Sequence, residues 1–220
     1  MKHLKLFNES VAESTKGQVP PNKTQKRSAR LLNDKQINYQ GNPGTTDTII
    51  FTDVVSSSKL WSDDPNTMKQ QLDKHFNIID AISKKWGGFV VKTIGDAFMI
   101  HFNGDKSLLK AINCSIEIIQ KESLNLRVGV CCGPMELKNY TLQNAKLKDF
   151  FGNSVNVASR MESKIAQPGG VAITWLSKIK QDQFDQIKSL ISKYNPKKVS
   201  ISQIDLKGAA AKFAYSIKVK

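Results

Sequence analysis

Two aspartates, Asp53 and Asp96, stand where carboxylates can do chemistry in this 220-residue sequence. Asp53 follows the short β-branched and aromatic run Thr48-Ile-Ile-Phe-Thr52. Asp96 lies between two apolar runs, in Thr93-Ile-Gly-Asp-Ala-Phe-Met99. Taken singly, each has a plain structural reading: Asp53 caps a helix, and Asp96 supplies turn chemistry beside Gly95. Taken together they offer more. If the fold makes the end of the first strand and the central hairpin neighbours, the two carboxylates can hold two divalent ions against a triphosphate.

The elements that must position them are legible in the pattern of apolar residues. Thr48–Thr52 reads as a buried strand. Asp64-Pro65 opens a helix with proline near its first turn. Met68, Leu72, Phe76, Ile79, Ile82 and Trp86 recur at three- and four-residue steps and give that helix one apolar face, which Gly87-Gly88 ends. Phe89–Ile94 and Ala97–Phe102 are two strands split by Gly95-Asp96, a hairpin signal. A second helix runs from about Ser107 to Lys121, and Asn125–Cys132 is a further strand. Strand, helix, hairpin, helix, strand is the order of a ferredoxin-like βαββαβ core, an α+β fold with helices on one face of an antiparallel sheet. Beyond it the sequence predicts a helix over 153–166 and a short strand Val171–Thr174. Two short helical stretches and a closing pair of strands, Lys198–Leu206 and Lys212–Lys220, complete a C-terminal extension.

Charge is uneven along the chain. The net charge is +14, yet residues 47–173 hold 15 Lys/Arg against 13 Asp/Glu. Residues 1–46 hold 8 against 3, and residues 174–220 hold 10 against 3. The basic excess therefore belongs to the flanks. These lack interleaved aromatics, so a solvated surface is expected and no nucleic-acid partner. Residues 1–46, with Pro20-Pro21 and Asn42-Pro-Gly44, read as a flexible basic segment in which a short helix near Leu31–Tyr39 is conceivable. The ordered domain is expected over 47–220. No run has the length of a membrane span or a signal peptide, and a cytoplasmic location is expected. Cys114, Cys131 and Cys132 have no metal-ligand spacing and read as reduced structural residues.

Three blocks carry a resemblance. Phe51-Thr-Asp-Val-Val55, Val91-Lys-Thr-Ile-Gly-Asp-Ala-Phe-Met99 and Phe151-Gly-Asn-Ser-Val-Asn-Val-Ala-Ser-Arg-Met-Glu-Ser163 resemble the class III adenylate/guanylate cyclase family, in its order and at its spacing. The resemblance covers about residues 47–219, and the third block is highly specific by itself. It implies that Asp53 and Asp96 bind two divalent metal ions, Mg²⁺ or Mn²⁺. It implies that Lys92 and Asp149 read the purine, and that Asn156 and Arg160 act on the transition state. Lys207, in Asp-Leu-Lys-Gly, matches a late lysine that touches the triphosphate. The implied reaction is attack of the ribose 3′-hydroxyl on the α-phosphorus with loss of pyrophosphate. Arg160 would stabilise charge on the α-phosphoryl oxygens while Asn156 orients the ribose. The two are four residues apart, on one helix face.

Donor and acceptor patterns then select the base. Adenine presents an acceptor at N1 and a donor at its 6-amino group, which suit a lysine and an aspartate. Guanine reverses both. Guanylate cyclases of the family typically carry Glu and Cys at these two positions, so ATP is the expected substrate and cyclic AMP the product. A guanylate cyclase and a weakly active regulatory homologue are the alternatives. Two positions depart from the family pattern. Pro134 follows Gly133 where many members have a phosphate-contacting arginine, and Ser56 stands where a glycine is usual. Because this chain carries both the metal set and the base and transition-state set, the resemblance implies a homodimer with two shared sites. No sensor module fits in 46 residues, so regulation is expected to be absent, to come from an upstream partner, or to belong to a longer parent.

Overall fold

In the computed structural model, residues 47–142, 145–201 and 211–220 are described. The segment 1–46, with the helix conceived near Leu31–Tyr39, lies outside the described residues, as does Lys207. Strand β1 spans Thr48–Val54. A short helix α1, Ser57–Asp63, precedes α2, Pro65–Lys85. Strands β2, Phe89–Ile94, and β3, Ala97–Phe102, form the expected hairpin, and Gly95 takes the positive φ that its turn requires. Helix α3, Ser107–Lys121, leads into β4, Leu126–Cys132. Next come β5, Glu136–Leu142, and β6, Ala145–Phe151. Helix α4, Asn153–Arg160, runs directly into a π-helical turn, Met161–Ile165. The chain closes with β7, Gly170–Trp175, α5, Gln181–Ser192, β8, Lys197–Ser200, and β9, Phe213–Lys218.

Seven strands form one sheet in the order β2-β3-β1-β4-β7-β9-β8. The first four are antiparallel and reproduce the ferredoxin-like order. The extension then adds β7 parallel to β4, and β9 and β8 antiparallel beyond it. Period-two alternation divides the core between the two faces. Ile50, Ile100, Val128 and Val130 pack with Met68, Ile79, Ile112 and Ile119 of α2 and α3. Ile49, Met99 and Cys131 point the other way, against Val157, Ala158 and Met161. The two helices of the βαββαβ core, α2 and α3, lie on one face as expected, joined there by Ile187 and Ile191 of α5, and α4 with its π-helical turn covers the other face. Gly129 makes room for the second layer. A Cβ there would lie 2.2 Å from the carbonyl oxygen of Ala158 and 2.2 Å from the backbone nitrogen of Glu162. Three further differences are local. Helix α1 and the β5–β6 hairpin have no counterpart in the apolar pattern. The two short helical stretches are a single 12-residue helix, α5. The strand expected over Lys198–Leu206 is seen as Lys197–Ser200, with 202–206 outside the described residues. No helix among the described residues is long and apolar enough to cross a membrane.

Candidate active site

The sheet register brings the two aspartates to one end of the molecule. Thr52 of β1 pairs with Phe98 of β3, so Asp53, one step on, lies at the hairpin end where Asp96 turns the chain. A buried hydrogen bond fixes this alignment across the strands: the backbone N–H of Phe98 donates to Thr52 Oγ1 at 3.1 Å. Asp96 is half-buried, and its Oδ2 is enclosed with no hydrogen-bond partner among the described residues. A buried carboxylate oxygen left unsatisfied is costly unless a cation or donor comes to it. Asp53 is already engaged, its Oδ2 accepting from Arg127 Nη2 of β4 at 2.6 Å.

Arg127 continues the chain of charges. Its Nε lies 3.0 Å from Oε1 of Glu162 in the π-helical turn, an ion pair in which neither atom has the alignment of a hydrogen bond. Burial pushes the Glu162 carboxyl up to about 7. Arg127 opposes that rise and the negative charge of Asp53 adds to it. One guanidinium therefore serves two carboxylates. Among the described residues no group of three or more His, Cys, Asp and Glu side chains gathers into a metal cage. The residues present nevertheless fit divalent ions that complete their coordination on a polyphosphate, since Mg²⁺ is ordinarily held by one or two carboxylates plus substrate phosphates.

Lys92 and Asp149 are also brought together. Lys92 lies on β2, where the register with β3 shifts between Val90 and Lys92, and Asp149 on β6. The Lys92 ammonium donates to Asp149 Oδ2, while the N–H of Phe150 donates to Oδ1 at 2.9 Å. Asp149 is buried and Lys92 partly exposed, so the pair faces solvent through its lysine. Phe150 in turn stacks on the buried His101 of β3, with ring centroids 4.1 Å apart. Asn156 and Arg160 share one face of α4. Asn156 is exposed and Arg160 half-buried.

The two positions that depart from the family pattern have definite structural places. Pro134 anchors the start of α4, because its carbonyl accepts the Ser154 hydroxyl at 2.8 Å. Ser56 sits in the left-handed region at φ 59 and leads into α1. Three groups around the aspartates were not anticipated from the sequence: Arg127, Glu162, and the buried pair His75 and Glu122. Glu162 lies inside the most specific sequence block. His75 is a polar residue within the apolar stripe of α2, a signal that was present in the spacing.

The sequence profile of the adenylate and guanylate cyclase catalytic domain matches residues 42–212. An adenylate cyclase of Neurospora crassa is 32% identical over 194 residues, covering 74% of this chain and 8% of that protein. A receptor-type guanylate cyclase of Caenorhabditis elegans is 27% identical over 192 residues, covering 76% of this chain and 17% of that protein. The chain thus spans less than a fifth of the length of these curated relatives. Among solved structures, the catalytic core of a rhodopsin-guanylyl cyclase with converted specificity, in complex with ATPαS, superposes with a TM-score of 0.64. It is 26% identical, covering 80% of this chain and 97% of that one. A profile match across most of the chain, on a fold that brings Asp53 and Asp96 to one sheet end, shows that this chain belongs to the adenylate and guanylate cyclase catalytic-domain family.

Proposed function

We propose that this domain is an adenylate cyclase, converting ATP to 3′,5′-cyclic AMP and pyrophosphate at sites shared by two copies of the chain. The observation that carries the choice of base is the Lys92–Asp149 pair. A lysine donor beside an aspartate acceptor complements N1 and the 6-amino group of adenine, whereas guanine would set a donor against the lysine and an acceptor against the aspartate. The contact between the two side chains supports the reading, since adenine can enter by exchanging one hydrogen bond for two.

Asp53 and Asp96 are proposed to hold two divalent ions, Mg²⁺ or Mn²⁺. When bound, these supply Lewis acidity, lowering the pKa of the 3′-hydroxyl and neutralising polyphosphate charge. The enclosed Oδ2 of Asp96, without a hydrogen-bond partner among the described residues, supports this assignment. As the bond from the 3′-oxygen to the α-phosphorus forms and the bond to the β-phosphate oxygen breaks, negative charge grows on the α-phosphoryl oxygens. Arg160 stabilises that charge and Asn156 orients the ribose. Lys207 is proposed to contact the triphosphate on the strength of the family resemblance alone. Asp53 and Asp96 come from one copy, and Lys92, Asp149, Asn156 and Arg160 from the other. The catalytic unit is proposed as 47–220, with 1–46 a basic appendage.

A guanylate cyclase is the second reading, because relatives of both kinds match this chain. The deciding experiment is incubation of the purified chain with ATP or GTP and Mg²⁺ or Mn²⁺, with product identification. Cyclic AMP from ATP at a higher kcat/KM than cyclic GTP from GTP is the expected result. Preference for GTP would overturn the base assignment, and no product from either nucleotide would overturn the enzyme.

A further inference from the structure

His75 lies in the middle of α2, fully buried, and both of its ring nitrogens are engaged. Nδ1 is 2.7 Å from Oε2 of the equally buried Glu122, which follows α3. Nε2 is 3.0 Å from the backbone carbonyl oxygen of Asp96. A carbonyl only accepts, so Nε2 carries a proton and donates it. The ring is gripped from the side by Phe98, edge-on at a centroid distance of 5.3 Å. Glu122 is held in its turn, since its Oε1 accepts the N–H of Ser123 at 2.9 Å and its carbonyl accepts Lys220 Nζ at 2.8 Å. A run of contacts therefore extends from the C-terminal lysine through Glu122 and His75 to the peptide of Asp96. The same residue carries the carboxylate whose Oδ2 is enclosed and has no partner among the described residues.

An imidazole and a carboxylate removed entirely from water are not explained by packing, since an apolar pair would fill the space without the desolvation cost. The pair reaches the candidate site through the Asp96 carbonyl. We infer that His75, braced by Glu122, is a positioning residue: it fixes the plane of the Asp96 peptide and so aims the carboxylate at a divalent cation. The inference rests on the proposed metal role of Asp96. In metal sites of this kind, groups that orient the ligands typically affect affinity by about tenfold to a hundredfold.

The test uses the full chain and Mn²⁺ alone, with free Mn²⁺ measured by electron paramagnetic resonance. His75→Gln keeps an N–H donor near the place of Nε2, whereas His75→Asn keeps the bond to Glu122 but cannot reach Asp96. With both variants folded by thermal melting, the expected result is Mn²⁺ affinity about tenfold weaker in His75→Asn and largely restored in His75→Gln. The kcat of His75→Asn at saturating nucleotide should recover as Mn²⁺ is raised. Equal affinity in the two variants overturns the inference. If neither variant folds, the Nε2–H resonance of His75 in ¹⁵N-labelled wild-type protein decides. A shift of that signal on adding Mg²⁺ supports the link, and a static signal overturns it. Asp96→Ala separates the two levels. Wild-type binding that survives in Asp96→Ala, or no binding by the wild type even with 3′-deoxy-ATP added to complete the coordination, overturns the metal assignment and this inference together. Binding lost in Asp96→Ala but unchanged in both His75 variants overturns this inference alone.

Discussion

At the scale of single residues, the site is organised by a shortage of positive charge. Arg127 is shared between Asp53 and Glu162, and burial raises the Glu162 carboxyl to about 7. Between its ordinary value of 4.5 and about 7, the folded chain therefore keeps a proton on Glu162 that the unfolded chain has released. Stability should fall as pH rises through that window, by at most about 3 kcal/mol. Glu162→Gln, uncharged throughout, should flatten the slope, and urea unfolding in EDTA at pH 5 and pH 8 checks it. A second expectation at this scale concerns Asp96. Asp96→Ala should lower cyclase turnover more than about a hundredfold while leaving the melting temperature within a few degrees. Substantial turnover in the folded variant would sink the metal role. A third concerns the base. The double change Lys92→Glu with Asp149→Cys inverts the hydrogen-bonding pattern. It should move the ATP-to-GTP ratio of kcat/KM towards GTP by about a hundredfold, as measured with both nucleotides on one preparation.

At the scale of elements, the site depends on how closely α4 and its π-helical turn approach the sheet. Gly129 of β4 is the contact point, and the atoms facing it belong to backbone rather than to a flexible side chain. Gly129→Ala should therefore push the helix off the strand and cost at least about 3 kcal/mol, read as a fall in the urea midpoint. Asn156, Arg160 and Glu162 are carried on that same segment, so any surviving folded fraction should also lose activity. The elements of the fold differ in how openly they can be read. Helix α2 announces itself because Met68, Ile79 and Ile82 face the core at helical spacing, and Asp64 caps it by accepting the N–H groups of Asn66 and Thr67. The β5–β6 hairpin does not. Lys138, Asn139 and Tyr140 are exposed in succession, so β5 lacks the alternation that marks a half-buried strand.

At the scale of the whole molecule, the proposed shared site makes a prediction that no single chain could satisfy. Asp53→Ala spoils the metal half of a site, and Arg160→Ala spoils the opposite half. Each mutant homodimer then has two broken sites. In a mixed dimer one site collects both lesions, and the other is wild-type in composition. Random pairing at equal amounts should restore roughly a quarter of wild-type activity. Mixing the two inactive proteins, allowing subunit exchange and assaying product checks it. Heterodimers seen by mass spectrometry without recovered activity would mean that one chain holds a complete site.

The sequence by itself determined the elements of the core and the identity of the residues proposed to act. Apolar spacing is a local property that each element writes into its own stretch of chain, and the three blocks name Asp53, Lys92, Asp96, Asn156 and Arg160 outright. Only the tertiary structure decided which groups meet. Arg127 lies 74 positions from Asp53 and 35 from Glu162, and no local pattern encodes that one guanidinium serves both. The parallel addition of β7 to β4 likewise follows from which sheet edge the extension finds, a choice made by long-range burial rather than by residue type. The same holds for His75. Its place in the apolar stripe of α2 could be read from its spacing, but its tie to the Asp96 carbonyl, 21 positions along the chain, exists only because the helix packs against the hairpin.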